Sequence, residues 1–124
     1  MSYKDFFEMP VWKQASKIVE DVYALCLKLP KSEDFALSSQ LKRAALSIPS
    51  NIAEAFGRHH TTDKINFYYF ARGSAYEVRS HLAIASKLKF FSENDIKIIE
   101  ADCCSVIESI NKIIKGFRNR PPQP

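Results

Sequence analysis

The chain has 124 residues, 46% hydrophobic and 26% charged, which is one domain's worth of ordinary globular composition and excludes wholesale disorder and a multidomain enzyme. Only three glycines are present, so Gly-rich phosphate loops and turn-dense β architectures are disfavoured and helix is the favoured material. Eighteen Lys and Arg against fourteen Asp and Glu give a net charge of +4, which permits anionic partners without demanding them.

The first predicted helix follows Pro10, a residue suited to a first turn, and ends at Pro30. Val11, Ala15, Ile18, Val19, Val22, Cys26 and Leu29 form its apolar stripe. The second runs from Phe35 to Gly57 with Leu37, Leu41, Ala44, Ile48, Ile52 and Ala55 inward. Pro49 lies inside it, which predicts a kink near Ser47. After the polar break Arg58-His59-His60-Thr61, a third helix is predicted from Thr62 to Leu88, about 40 Å long. Ile65, Phe67, Tyr68, Tyr69, Phe70 and Ala71 cover more of its circumference than one core face needs, so apolar contacts on two sides are expected. The fourth opens with Ser92 and Asp95 in capping-box spacing and repeats Ile96, Ile99, Cys103, Val106, Ile110, Ile113 and Phe117 at threes and fours. Its acidic start and basic end match the helix dipole, and the tail from Arg120 to Pro124 cannot continue it and is expected to be loose. Four amphipathic helices with short connections predict an all-α, antiparallel up-down four-helix bundle with a kinked second helix, one domain over residues 1–124.

Polar residues interrupt these stripes in a pattern of their own. Gln40, Arg43, Ser47, Asn51, Glu54 and Arg58 flank the core on the second helix, answered by Arg72, Gly73, Ser74 and Glu77 on the third. The expected arrangement is a structural network: Arg43 pairs with Glu77 or Glu54, and Asn51 satisfies carbonyls freed by Pro49. Gly73 is expected where a neighbouring helix backbone comes close. Glu54 and Glu77 could be read as a catalytic carboxylate pair, but no second signature supports one and no catalytic residue is assigned. His59-His60 and Cys103-Cys104 lack tetrahedral spacing, so no metal and no cofactor is expected. His81 fits a core edge or the surface.

Residues 40–54 (Gln-Leu-Lys-Arg-Ala-Ala-Leu-Ser-Ile-Pro-Ser-Asn-Ile-Ala-Glu), then Gly57-Arg58 and Phe70-Ala71-Arg72-Gly73-Ser74-Ala75-Tyr76-Glu77, resemble the bacterial four-helix bundle proteins encoded in intervening sequences of the large ribosomal RNA, once labelled ribosomal proteins. The opening Phe7 to Ala15, with Val11-Trp12, and the closing helices fit as well, so the resemblance covers nearly the whole chain. It implies a left-handed bundle, a homopentameric ring and no established enzymatic activity. A related branch, the accessory variability determinant proteins of diversity-generating retroelements, implies binding to a reverse transcriptase and to nucleic acid through a basic outer surface. Ala55 departs from the pattern, which usually has Gly there.

The residues supply two further expectations. Trp12, Phe67, Tyr68, Tyr69 and Tyr76 are candidates for an interface between copies, the alternative being that they close the ends of one bundle's core. Residues 61–90 carry Lys64, Arg72, Arg79, Lys87 and Lys89 against Asp63 and Glu77, a balance of 5 − 2 = +3. Arg58, His59, His60, Lys64, Arg72 and Arg79 are therefore the candidate contacts to RNA or DNA phosphates, the alternative being a solvated helix face. The reading is a non-enzymatic, oligomeric, cytoplasmic interaction scaffold without membrane contact, its alternative a structural or regulatory protein that binds only other proteins.

Overall fold

The computed structural model describes residues 2–120, so the expectation of a loose tail falls largely outside the described residues. Four helices account for most of that span: α1 (Pro10–Cys26), α2 (Leu37–Gly57), α3 (Thr61–Lys87) and α4 (Glu93–Arg118). Pro10 occupies the first turn of α1, where its missing N–H costs nothing. Ser92 caps α4 by accepting the Asp95 N–H while Asp95 returns a bond to the Ser92 N–H, so the predicted capping box is formed. Two single-turn 3-10 helices, Phe6–Glu8 and Lys31–Glu33, flank α1; the first carries its own capping box between Asp5 and Glu8. Their length, three residues each, gives hydrophobic periodicity nothing to register.

Each helix packs on its two neighbours, with α2 on α3 the most extensive pair and α1 closing on α4. Bond pairs set the register. Ser47 meets Ser74 and Arg58 covers Phe67, Arg72 reaches Asn111 and Arg79 reaches Glu100, and Lys17 and Lys28 meet Asp102 and Asp95. In each pair rising numbers on one helix meet falling numbers on the next, so all three seams are antiparallel. The core holds the predicted stripes, with Ile18, Leu41, Ile48, Ile52, Leu82 and Ile110 fully buried. Small residues Ala44, Ala45, Ala55, Ala71, Ala75 and Ala85 line α2 and α3 and bring those two helices close.

Three expectations change. Helix α2 begins at Leu37 rather than Phe35, because Lys31–Glu33 and Asp34 form their own turn. The Asn51 amide bonds the Ser47 carbonyl, not that of Ala45, whose helical partner Pro49 removes. No helix approaches Gly73: a Cβ there would meet nothing within 4 Å. At the α3–α4 turn, Phe90 N–H bonds the Ala85 carbonyl and Lys89 N–H that of Ser86, both 3.0 Å, a Schellman closure that holds Lys89 at φ 67°.

Candidate nucleic-acid interface

The α2–α3 turn stands where α2 ends, α3 starts and α4 ends, so the cations of three helix termini gather at one end of the bundle. Arg58 caps α2, its N–H bonded to Glu54 and Ala55 carbonyls. Its guanidinium sits 3.3 Å from Glu54 and 4.6 Å above the Phe67 ring. His59 and His60 are exposed, ring edge to ring face, with 5.0 Å between centroids. Lys64 differs from both. Its ammonium donates to the Ala55 and Phe56 carbonyls at 3.1 and 3.0 Å, acceptors at the C-terminal end of α2 where the helix offers no i+4 N–H. Burial, and then the Arg120 charge, hold its pKa below the usual lysine range.

Arg72 and Arg79 do share a face of α3, as expected, but that face forms the seam with α4. Arg72 donates to the Asn111 side-chain carbonyl at 2.8 Å and lies 4.7 Å over the Tyr69 ring. Arg79 pairs with Glu100 at 2.7 Å, which raises its pKa, and covers the exposed Tyr76. The six expected phosphate contacts therefore fall into three groups: Arg58 with the histidines, Lys64 as a clamp, and the two seam arginines.

Sequence reasoning missed Arg118 and Arg120. Arg118 bonds the Tyr69 hydroxyl and lies 5.4 Å from the centroid of the ring that Arg72 also covers, so the two guanidiniums share one phenol ring. Arg120 lies 4.5 Å over Phe117. The sequence signal for them is the basic end of α4, whose charges also complement the helix dipole. Aromatic rings interleaved with arginines along this seam suit phosphate backbones and unstacked bases.

The expected charged network does not form. Arg43 reaches the Gln40 carbonyl oxygen at 3.3 Å, Glu54 pairs with Arg58, and Glu77 lies 3.3 Å from His81. All three charges lie on the exposed side of their helices, where each stays hydrated rather than bearing the desolvation of a buried pair. What forms instead is smaller and neutral. Asn51 donates to the Ser47 carbonyl and hydroxyl at 2.8 and 2.9 Å, and the Ser74 hydroxyl lies 2.8 Å from that of Ser47 and 3.0 Å from the Phe70 carbonyl. Among the described residues no buried side-chain N or O lacks a partner.

The aromatic residues divide too. Tyr68 is 3% exposed, packed near Phe117 inside its own bundle, and is not an interface residue. Trp12 is half-buried against Phe6 and Phe7, Phe67 against Phe70 and Arg58, and Tyr69 between its two arginines. Tyr76 at 50% and Phe70 at 57% face solvent, with Leu46 of α2 and Ile84 of α3 also exposed. Among the described residues no group of three or more His, Cys, Asp or Glu converges, and no helix is long and apolar enough to cross a membrane.

The fold has a solved relative. A 1.70 Å crystal structure of a protein of unknown function, from the S23 ribosomal protein family of Bacteroides thetaiotaomicron, superposes with a TM-score of 0.76 at 22% identity, over 85% of this chain and 98% of that one. No curated protein sequence matches. The model of the 23S rRNA-intervening sequence protein family matches residues 8–112, which takes in α1, α2, α3 and most of α4. The chain belongs to the 23S rRNA-intervening sequence protein family.

Proposed function

We propose that this protein is a non-enzymatic cytoplasmic scaffold that assembles with copies of itself into a ring of five and holds RNA or DNA by its phosphate backbone. A nucleic-acid enzyme such as a reverse transcriptase is the protein partner that such a ring suits. The observation that carries the reading is the gathering of Arg58, the His59–His60 turn, Arg118 and Arg120 at one end of the bundle, with Tyr69 and Arg72 continuing it along α3. Exposed Phe70, Tyr76, Leu46 and Ile84 supply the apolar area that self-association would cover. In a ring the cationic end repeats with each copy, so its field adds and attracts phosphate without reading bases.

Two measurements test this. Light scattering on the purified protein reports the assembly, and a monomer would overturn the ring. Fluorescence anisotropy with single-stranded RNA and DNA at rising salt reports the contact, and binding must weaken steeply as salt is added. The protein-only reading is favoured by the engagement of Arg72 with Asn111 and Arg79 with Glu100. An intact ring that binds neither nucleic acid at low salt would establish it.

A further inference from the structure

One concave feature of the bundle shares only Arg120 with the residues that carry that surface reading. A cleft of about 390 Å³ opens between the start of the chain, the end of α2, the first turns of α3 and the end of α4. Met9, Phe56 and Phe117 contribute apolar walls, and Lys64, Tyr68 and Arg120 contribute polar atoms. The volume falls in the range of small-molecule sites.

Charge and hydrogen bonding restrict what fits. Among the described residues two cations line the cleft and no carboxylate does. Lys64 commits two donors to the α2 carbonyls and keeps a third. Arg120 makes no ion pair among the described residues, its guanidinium resting on the Phe117 ring. Tyr68 lines the cleft, and its hydroxyl makes no hydrogen bond among the described residues, where no side-chain oxygen sealed from solvent lacks a partner. Burial pushes its pKa up to about 12, so it stays a donor at neutral pH. Three donors without acceptors therefore face one partly apolar space, where a bound anion relieves the Lys64–Arg120 repulsion.

We propose that this cleft binds a small organic anion with an apolar body, of the class of aromatic or medium-chain carboxylates. The carboxylate lies among Arg120, Lys64 and Tyr68, and the apolar body lies against Met9, Phe56 and Phe117. An inorganic anion would leave the apolar walls wet, and a neutral isostere would leave the cations unmatched.

Amide-resolved NMR titration of the intact protein with phenylbutyrate, its neutral amide, inorganic phosphate and adenosine monophosphate tests the assignment. Phenylbutyrate should give saturable shifts at Phe56, Gly116 and Phe117, with the amide and phosphate each roughly tenfold weaker. Arg120→Gln, beyond the last helical residue and therefore harmless to folding, should weaken phenylbutyrate roughly tenfold, and Tyr68→Phe less. Lys28→Gln, at the far end of the bundle, should change nothing. No saturable shift in the millimolar range, equal binding of the amide, or an Arg120→Gln variant that binds as well as the parent would overturn the site. Tighter binding of adenosine monophosphate than of phenylbutyrate would overturn the ligand class.

Discussion

The hydroxyls of Ser47 and Ser74 meet 2.8 Å apart across the α2–α3 seam, and Asn51 adds its amide to the same Ser47 oxygen. Both serines stand in a helical surface that is otherwise alanine and aliphatic, so removing one partner leaves the other desolvated. Asn51→Ala should cost about 1–2 kcal/mol and Ser74→Ala about 1 kcal/mol. Combining them should cost less than the sum, because Ser47 is shared. Urea unfolding of the two single variants and the double variant checks this; a neutral Asn51→Ala would mean that the amide is not part of the seam.

Gly73 has open space where a Cβ would go, in the interior of a 27-residue helix. Gly73→Ala should therefore stabilise the isolated bundle by up to about 1 kcal/mol, seen as a higher midpoint in thermal melts at low protein concentration. If copies pack backbone-close at that position, the same variant lowers the assembly's mass in light scattering. The two readouts separate the fold of the subunit from the contacts between subunits.

Lys89 holds a left-handed conformation that favours glycine. Lys89→Gly should raise stability by about 0.5–1 kcal/mol without altering the α3–α4 turn, whose two closing bonds come from backbone N–H groups. Lys89→Val, with a β-branched side chain in the same backbone region, should lower it. Denaturation midpoints of the pair must move in opposite directions.

Lys28 donates to Asp95 at 2.7 Å and, with the Ser92 N–H, holds that carboxyl down to about 2 from an ordinary 3.8. The unfolded chain takes up this proton first as pH falls. The contribution to stability is therefore complete above the ordinary carboxylate value and disappears as pH drops through about 2. In Lys28→Met the carboxyl should titrate closer to 3.8 but still below it, since the cap remains. Side-chain carboxyl NMR reads the midpoint directly; an unchanged value would assign the whole depression to the cap.

Cys104 is exposed whereas Cys26 and Cys103 are buried, and burial pushes the Cys103 thiol up to about 12. Brief iodoacetamide treatment of the folded protein should modify Cys104 alone, with the other two reacting only in denaturant. Mass spectrometry of the digested protein decides it. Early modification of Cys103 would place α4 in a different register.

Helix periodicity made the bundle legible, since each apolar stripe could close only against another. Ser92 and Asp95 marked the start of α4 to the residue because a capping box is a local device with fixed spacing. Side-chain destinations were less legible. Arg43 shares a polar flank with Glu54 on its own helix and faces the helix of Glu77, but spacing says nothing about the balance between hydration and pairing, and Gln40 takes the guanidinium. Tyr68 looked like Tyr69 in a run of aromatic residues, yet a turn of about 100° per residue sends one into the core and the next to the arginines of the α4 seam. Arg118 and Arg120 reach the cationic end only because α4 runs antiparallel to α3, a tertiary fact that no stretch of local sequence contains.

Lys17 and Asp102 bond across 85 residues of sequence, and Lys28 and Asp95 across 67, whereas Ser47 and Ser74 are 27 apart. Closing α1 against α4 is therefore the step with the longest loop to organise, and the α2–α3 hairpin can assemble before it. On the ribosome, α1 emerges first and waits, its apolar stripe without its final partner, until nearly the last residues of α4 are made. Without α4 that stripe would be covered by α2 alone and its other side left prone to aggregate, so the lone α1–α4 seam guards the bundle against association during synthesis.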